Sequence, residues 1–407
     1  MNIGFVSVWF ERGAGYVTKM YMNLLNRGNN LFVYSRAGEI ISPTEGWDQD
    51  YVHWGKALPF TRISWRDFRK WVITNKLDVV FFNEQRDFRV LYKCKLEFPN
   101  LKLGAYVDYY TADMVARFKY YDFLICNTLR HQSVFSWHPQ SYYIPWGTDI
   151  DLYTPASDNE MLVGENVTFF HSAGMSNRKG TDTLIEVFFN TDLCKKSKLI
   201  IHSQVDSSVF TKRSVEEMRD HNIEFIQKTV GAPGLYCLGD VYVYPTTLDG
   251  LGLTMYEAMS SGIPVIAPDN APMNEVVDDS VGSLIKVDSY KSREDGYYWP
   301  LCFVNKEDLY RKMSEYADDK EYTIRKKVAA RNKAIKYFDL QLYADDVRSI
   351  FLDSKINLFS KEELINQYKI DSKRYSTLGR MNLEMVLPSS LVGVIEKLNY
   401  VLKEYRR

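Results

Sequence analysis

Cysteine is scarce in this chain of 407 residues, which contains only Cys94, Cys126, Cys194, Cys237 and Cys302. These five residues are widely spaced and form no Cys-x-x-Cys pair, so neither a zinc site nor a structural disulfide framework is expected. Such sparing use of cysteine favours a reducing cytoplasm as the compartment of the protein.

An excess of one charge and long apolar runs are also missing. The chain has 51 lysines and arginines against 52 aspartates and glutamates, and this balance of −1 argues against nucleic acid as the main partner. No apolar run approaches the roughly 20 residues that span a bilayer. No basic segment with an apolar core indicates a signal peptide. We therefore expect a cytoplasmic protein, soluble or at most peripheral on the inner face of the cell membrane.

Strand and helix patterns alternate along most of the chain. Its 407 residues exceed what one ordinary core holds, so two domains are expected. Short apolar runs typical of buried strands alternate with helical patterns in both halves, and this order predicts two α/β domains with parallel sheets. We place the first domain at 1–150, the second at 151–340 and a helical tail at 341–407.

The most informative stretch is 241–277. Residues 241–244 have the composition of a buried strand, the loop Asp249-Gly250-Leu251-Gly252 follows, and a helical pattern runs over about 254–261. Backbone N–H groups of a glycine loop and the positive end of the following helix dipole suit a phosphate. The carboxylates of Asp249 and Glu257 could both accept hydrogen bonds from sugar hydroxyls at that helix N-terminus.

A second interpretation of the same residues stays open. Thr254-Met255-Tyr256-Glu257 also fits a capping box, in which the Glu257 side chain would only accept hydrogen bonds from backbone N–H groups. The stretch alone does not separate a ligand-binding Glu257 from a capping one.

This stretch resembles a specific motif of retaining glycosyltransferases of family four, which have the two-domain GT-B fold. The shared features are an acidic residue, a glycine-rich run, a Glu separated from the first acid by seven residues, an Ala-Met pair, a Gly-x-Pro-Val strand and a Glu-Val-Val. Here they read Asp249, Gly250-Leu251-Gly252-Leu253, Glu257, Ala258-Met259, Gly262-Ile263-Pro264-Val265 and Glu275-Val276-Val277. One departure is Asp249, which stands where the family usually has Glu and reaches one methylene less far.

The resemblance implies a fold and a donor site. It implies two Rossmann-like domains facing a cleft, with the helical tail crossing back to the first domain, which holds the acceptor. In the family, the residue that matches Asp249 contacts the donor sugar and the one that matches Glu257 contacts the ribose hydroxyls. The N–H groups of Gly250, Leu251, Gly252 and Leu253 would stabilise the leaving diphosphate.

Basic residues for the diphosphate come from another loop of the second half. Lys179 matches the lysine with which the family holds the diphosphate, whereas the family's arginine usually lies several residues before the position of Arg178. Together with Asp249 they are the predicted catalytic residues, and a surface charge pair is the alternative for Arg178 and Lys179. In the first half, Gly15 matches a family glycine that borders the donor phosphates, although a tight turn would equally explain it.

Acceptor-side residues are predicted at strand ends of the first half. Glu84 and Asp108 follow strand patterns, and ligands of parallel sheets meet the carboxyl ends of strands. Many family members have His where Asp108 stands, and a turn or N-cap carboxylate is the alternative there. Asp48-Gln49-Asp50 imitates the metal-binding motif of another glycosyltransferase fold, but its polar surroundings favour a solvated loop.

The sequence is thus interpreted as a retaining glycosyltransferase. It would move a sugar from a nucleoside diphosphate to a hydroxyl of a glycan or lipid-linked acceptor, without metal or other cofactor, in surface polysaccharide or glycoconjugate assembly. A nucleotide-sugar 2-epimerase and a non-catalytic nucleotide-sugar-binding subunit remain as alternatives. Residues 391–407 have apolar residues at helical spacing and fit packing on the first domain or, less readily, contact with a membrane surface.

Overall fold

Two compact units make up the structure, a computed structural model that describes residues 1–36, 46–56, 58, 61–155, 157 and 161–375. Among these residues, unit 1 contains 1–127, 131–144 and 343–375, and unit 2 contains 128–130 and 145–342. The chain passes from unit 1 to unit 2 between Ile144 and Pro145 and returns between Leu342 and Tyr343.

Unit 1 is built on a parallel sheet of seven strands in the order β3-β2-β1-β4-β5-β6-β7. Its strands are β1 Asn2–Ser7, β2 Asn30–Ser35, β3 Val52–Trp54, β4 Val79–Asn83, β5 Lys102–Tyr106, β6 Phe123–Cys126 and β7 Ser141–Tyr143. The connecting helices are α1 Gly13–Leu25, α2 Trp65–Thr74, α3 Arg89–Glu97 and α4 Leu129–Phe135, of which residues 129 and 130 are grouped with unit 2. Every residue of the central strand β4 is buried, as expected for a parallel strand with helices on both faces.

Unit 2 has a parallel sheet of six strands in the order β10-β9-β8-β11-β12-β13. These strands are β8 Val167–Gly174, β9 Ser197–Ser203, β10 Ile223–Gln227, β11 Val241–Val243, β12 Val265–Pro268 and β13 Gly282–Ile285. An antiparallel hairpin follows, formed by β14 Val287–Lys291 and β15 Leu301–Val304. The helices are α5 Thr181–Phe189, α6 Leu193–Lys196, α7 Val215–Asp220, α8 Leu253–Ser260, α9 Met273–Val276, α10 Lys306–Asp318 and α11 Lys320–Tyr337.

The last described helices, α12 Ala344–Asp353 and α13 Lys361–Tyr375, belong to unit 1. Phe351 of α12 is fully buried, and its ring centre lies 5.0 Å from that of Phe81 in β4 and 5.0 Å from that of Phe123 in β6. From α13, the buried Asp371 accepts a hydrogen bond of 2.7 Å from the Tyr92 hydroxyl of α3. The return segment therefore completes the core of unit 1.

The order of strands in each unit creates a switch point beside its first strand. In unit 2 the chain runs outward from β8 through β9 and β10, then returns to β11 on the other side of β8 and continues to β12. Loops after β8 and β11 therefore leave the sheet in opposite directions and open a crevice between them, which is where ligands of parallel α/β sheets bind.

The predicted fold class of two parallel α/β domains with a helical C-terminal region is confirmed. The predicted strand over 241–244 agrees with β11 to within one residue. Neither α2 nor the β14–β15 hairpin was predicted, since both stretches are rich in charged and aromatic residues that obscure any periodicity. The predicted helix over 391–407 lies outside the described residues. None of the described helices is both long and apolar enough to cross a membrane.

Candidate functional site

The loop after β8 places a lysine at the switch point of unit 2. A short 3-10 turn, Asn177–Lys179, leads into Gly180, whose φ of +74° favours glycine. A Cβ built on Gly180 would lie 2.0 Å from the carbonyl oxygen of Pro245, so this loop and the loop after β11 approach as closely as backbones can. That approach brings Lys179 to the residues that follow β11.

Lys179 is joined to Tyr244 and Asp249 in a closed ring of hydrogen bonds. Its Nζ lies 2.6 Å from the Tyr244 hydroxyl and forms a salt bridge with Asp249 Oδ2, and the Tyr244 hydroxyl donates to that same oxygen. Tyr244 is fully buried, whereas the side chains of Lys179 and Asp249 each remain about one fifth exposed, at 21% and 20%. The charged ends of the ring are therefore open to a ligand.

The Asp249 carboxylate is held in its ionised form. Burial by itself would raise its pKa, but the positive charge of Lys179 and hydrogen bonds from Lys179, Tyr244 and the N–H of Gly252 outweigh burial and leave the pKa well below its usual range. Burial and the neighbouring Asp249 charge raise the pKa of Tyr244 well above its usual value, so its hydroxyl keeps its proton. The ring is thus an ammonium, a neutral phenol and a carboxylate.

The loop and helix that follow Asp249 offer backbone N–H groups. Gly252, with φ of +72°, is the N-cap of α8, and its own N–H binds Asp249 Oδ1 at 3.1 Å. The N–H groups of Gly250, Leu251 and Leu253 donate to no acceptor within the part of the chain that the structure describes. Three of the four predicted N–H groups at this helix N-terminus are therefore available to an anion, and that of Gly252 is used within the loop.

Glu257 lies one turn into α8 and faces tyrosines, not backbone. Its Oε2 accepts a hydrogen bond of 2.6 Å from the Tyr236 hydroxyl. Burial raises the pKa of Glu257, against the opposing hydrogen bonds from Tyr236 and Tyr153 and the charge of Lys179. Because α8 begins at Leu253 with no side-chain cap, the alternative of a capping box from Thr254 to Glu257 is wrong.

A buried histidine, His171, links the strands on both sides of the switch point to the helix that follows the Lys179 loop. His171 of β8 is fully buried, and its Nδ1 lies 2.7 Å from the Val243 carbonyl oxygen, so Nδ1 must carry the proton. Its Nε2 then accepts from the Thr181 hydroxyl at 2.8 Å. Burial lowers the pKa of His171 to about 4, which keeps the ring neutral and couples β8, β11 and the start of α5.

Arg178, unlike Lys179, contacts the loop after β11 through its backbone and not through its side chain. Its side chain is exposed, and Nε lies 3.3 Å from the Ser176 hydroxyl. Its carbonyl oxygen accepts from the N–H of Thr247 at 2.8 Å and from the Thr246 hydroxyl at 3.0 Å. The backbone of Arg178 thus joins the two loops, while its guanidinium is exposed to solvent.

Arg130, in the short segment 128–130 that belongs to unit 2, supports the Asp249 loop. Its guanidinium donates to the carbonyl oxygens of Asp249, at 2.7 Å, and of Ala271. Glu275, from the predicted Glu-Val-Val motif, accepts the N–H of Arg130 at 2.8 Å and that of Leu129 at 2.6 Å. Glu275 therefore holds the segment 128–130 of unit 2 in place, and through Arg130 it helps to fix the loop that carries Asp249.

The remaining predicted residues belong to unit 1. Gly15 lies in the first turn of α1, where a Cβ would meet the Phe10 carbonyl oxygen at 2.5 Å and the Trp47 ring at 2.9 Å. Packing therefore suffices to explain this glycine.

Glu84 and Asp108 both follow strands of the unit 1 sheet. Glu84 has φ of +52°, a strained value for a residue with a side chain, and its carbonyl oxygen accepts from Arg36 at 3.2 Å. Asp108 Oδ1 lies 4.0 Å from Nε2 of His131, and both carboxylates are about one fifth exposed, at 21% and 20%. Asp108 caps no helix of the described chain.

Tyr244, Tyr236, His171 and Arg130 were missed by the sequence interpretation. Tyr244 and His171 lie in apolar strand patterns and resemble core residues, while Tyr236 and Arg130 stand in stretches without a motif.

Asp48 and Asp50 lie in an exposed turn, as expected. Among the described residues, no cluster of three histidines, cysteines or carboxylates could hold a metal ion.

Comparison with known proteins agrees with this geometry. Residues 165–294, which contain the Lys179, Asp249 and Glu257 loops, match the sequence profile of the family described as Glycosyl transferases group 1. Over 177 residues the chain is 26% identical to an uncharacterized glycosyltransferase of Sulfolobus islandicus rod-shaped virus 1; the match covers 40% of this chain and 52% of that protein. The chain therefore spans about half the length of this relative.

Two solved structures share the fold over most of the chain. Sucrose-phosphate synthase from Thermosynechococcus elongatus is 14% identical, with a TM-score of 0.66 and coverage of 86% of this chain and 98% of that one. HepE of Anabaena, solved with UDP and glucose, is 16% identical, with a TM-score of 0.62 and coverage of 86% and 99%. At these identities the likeness establishes the fold.

Proposed function

We propose that the protein is a glycosyltransferase that uses a nucleoside diphosphate sugar as donor. One observation carries the proposal: Lys179 and the unused N–H groups of Gly250, Leu251 and Leu253 follow the two adjacent strands of the unit 2 switch point. An ammonium and three peptide N–H groups at one place suit a diphosphate, whose negative charge increases as the bond to the sugar breaks. The match to the group 1 family and the UDP found with HepE support this assignment.

The contacts of the individual residues support the following roles. Lys179 and the α8 N-terminus would stabilise the leaving diphosphate, and the exposed Arg178 would add a second positive charge. Glu257 would accept hydrogen bonds from the ribose hydroxyls. Asp249 has both carboxylate oxygens engaged within unit 2, by Lys179 and Tyr244 on one side and by Gly252 on the other. Contact of Asp249 with the donor sugar, implied by the resemblance, would require it to share one of these oxygens.

We propose further that the anomeric configuration is retained and that no metal is needed. Fixed positive groups at Lys179 and Arg178 would replace the charge of a metal, and the leaving phosphate itself would take the proton of the acceptor hydroxyl. The acceptor is proposed as a glycan or lipid-linked hydroxyl, with Glu84 and Asp108 of unit 1 on the acceptor side, and the pathway as surface polysaccharide or glycoconjugate assembly.

Product analysis with a radiolabelled donor tests the proposal. Purified protein is incubated with labelled UDP-, GDP- and ADP-sugars, with and without a glycan acceptor extract, and the products are separated by chromatography. We expect label in the acceptor fraction and release of the nucleoside diphosphate, both lost in Lys179→Ala. An epimerised nucleotide sugar would instead identify a 2-epimerase, and binding without a product would identify a nucleotide-sugar-binding subunit.

A further inference from the structure

The hydroxyl of Tyr244 is hydrogen-bonded to both members of the Lys179–Asp249 ion pair. It follows β11 directly, is fully buried, and stacks on Tyr242 with ring centres 5.5 Å apart and planes inclined by 20°. Stacking fixes the ring, so the hydroxyl has a fixed position. That position is shared by Lys179 Nζ, at 2.6 Å, and Asp249 Oδ2.

The direction of each hydrogen bond in this ring is determined by the available protons. An ammonium has three N–H donors and no acceptor, so Lys179 must donate to Tyr244. The single proton of Tyr244 then goes to Asp249, which as a carboxylate only accepts. Two of the three N–H groups of Lys179 are thus used, and the third is available to a ligand at the exposed side of the ring.

We propose that Tyr244 is a positioning residue for the diphosphate of the donor, an inference that rests on the proposed function. Its hydroxyl holds the ammonium of Lys179 so that the remaining N–H can donate to a phosphate oxygen. It also keeps a hydrogen bond on Asp249 Oδ2 when Lys179 moves toward the phosphate. Tyr244 itself touches no part of the donor.

The consequence of removing this hydroxyl follows from the same contacts. In Tyr244→Phe, Lys179 keeps only Asp249 as a partner, so the ammonium is drawn fully onto the carboxylate. Binding of a diphosphate would then have to break the ion pair and leave Asp249 Oδ2 without a hydrogen bond, although Oδ1 keeps that from the N–H of Gly252. Loss of binding affinity is expected for a nucleoside diphosphate, because Lys179 is proposed to donate to its outer phosphate. A monophosphate lacks that phosphate, so its affinity should change little.

Calorimetric titration of UDP and UMP into matched variants tests this proposal, with GDP/GMP and ADP/AMP as parallel pairs for the nucleotide that binds. Tyr244→Phe should weaken binding of the diphosphate by about 10-fold and leave that of the monophosphate nearly unchanged. Tyr242→Phe is the control, because it removes the same atom from the stacked neighbour, which makes no hydrogen bond to Lys179 or Asp249. It should bind both ligands like the wild type.

A second measurement covers the case in which Tyr244→Phe alters the fold. In the background of Lys179→Ala, Tyr244→Phe should cause no further loss of diphosphate affinity, because the residue that it positions is gone. Equal losses for diphosphate and monophosphate, an unchanged diphosphate affinity, or additive losses in the double variant would overturn the role of Tyr244. A wild-type protein that binds none of the three diphosphates would refute the proposed function, and this inference with it.

Discussion

Replacement of Glu257 by Gln tests the nucleoside end of the site most directly. Glu257 is half-buried in α8, and Oε2 accepts the Tyr236 hydroxyl at 2.6 Å. Gln has nearly the same shape and can still accept from Tyr236, so Glu257→Gln removes the charge and little else. If the carboxylate accepts ribose hydroxyls, donor binding loses a charged acceptor.

The expected size of the effect follows from the environment of the side chain. Hydrogen bonds to charged groups contribute roughly 1.5–3 kcal/mol against about 0.5–1.5 kcal/mol for neutral ones. A difference of roughly 1–2 kcal/mol corresponds to about 5- to 30-fold weaker donor binding. Because burial raises the pKa of Glu257, its charged form is disfavoured in the folded protein, and Glu257→Gln should leave the melting temperature unchanged or slightly higher.

Isothermal titration of the nucleotide sugar and a thermal melt on the same sample provide the two readouts. Glu224→Gln is the matched control, since Glu224 lies in β10 of the same unit, half exposed, and pairs with Lys198. Glu224→Gln should bind the donor like the wild type. An unchanged Kd for Glu257→Gln together with a lowered melting temperature would show that Glu257 has only a structural role, and the reasoning from its charge would be wrong.

Three further outcomes are expected from the same site. Lys179→Ala should lower kcat by about 100-fold or more with the fold intact. Lys198→Ala, which replaces an exposed lysine of β9, is the control and should leave kcat unchanged. Normal turnover by Lys179→Ala would contradict the assignment of Lys179 to the diphosphate. Activity should survive EDTA, and strict dependence on added Mg²⁺ or Mn²⁺ would contradict a metal-free mechanism. The pKa of His171 is about 4 when folded and about 6.5 when unfolded, so the unfolded chain binds the proton first and stability should fall between pH 6.5 and 4, by up to about 3 kcal/mol. Urea unfolding should show a weaker pH dependence in His171→Asn, and equal slopes would contradict this origin.

The fold could be predicted well because the two sheets are parallel and buried. Strands such as Val79–Asn83 and Phe123–Cys126 are apolar on both faces, and short apolar runs between helical patterns are typical of buried parallel strands. The hairpin of β14 and β15 could not be predicted in the same way. Tyr290 and Phe303 are exposed there, so side-chain polarity no longer reports which face is buried.

The site could be predicted only where a motif carried it. Lys179, Asp249 and Glu257 were found because their spacing matches a known pattern, whereas Tyr244 looks like any other residue of a buried strand. Its role depends on the close approach of two loops at Gly180, which is a property of the fold and not of the local sequence. The capping box was wrong for a related reason: the N-cap of α8 is Gly252, in a left-handed conformation, two residues before Thr254, and no side chain caps the helix.

The return of the C-terminal helices to unit 1 has a consequence for the order in which the protein forms during synthesis. Buried Asp122 accepts the N–H of Asn357 at 2.6 Å, and buried Asp371 bonds Tyr92, so unit 1 lacks part of its interior until residue 371 has been made. Unit 2 is complete at Leu342. Unit 2, although it follows the sheet of unit 1 in the sequence, is therefore the first that can finish folding on the ribosome. Until α12 has been made, Phe81 and Phe123 of the N-terminal sheet lack their contacts with Phe351.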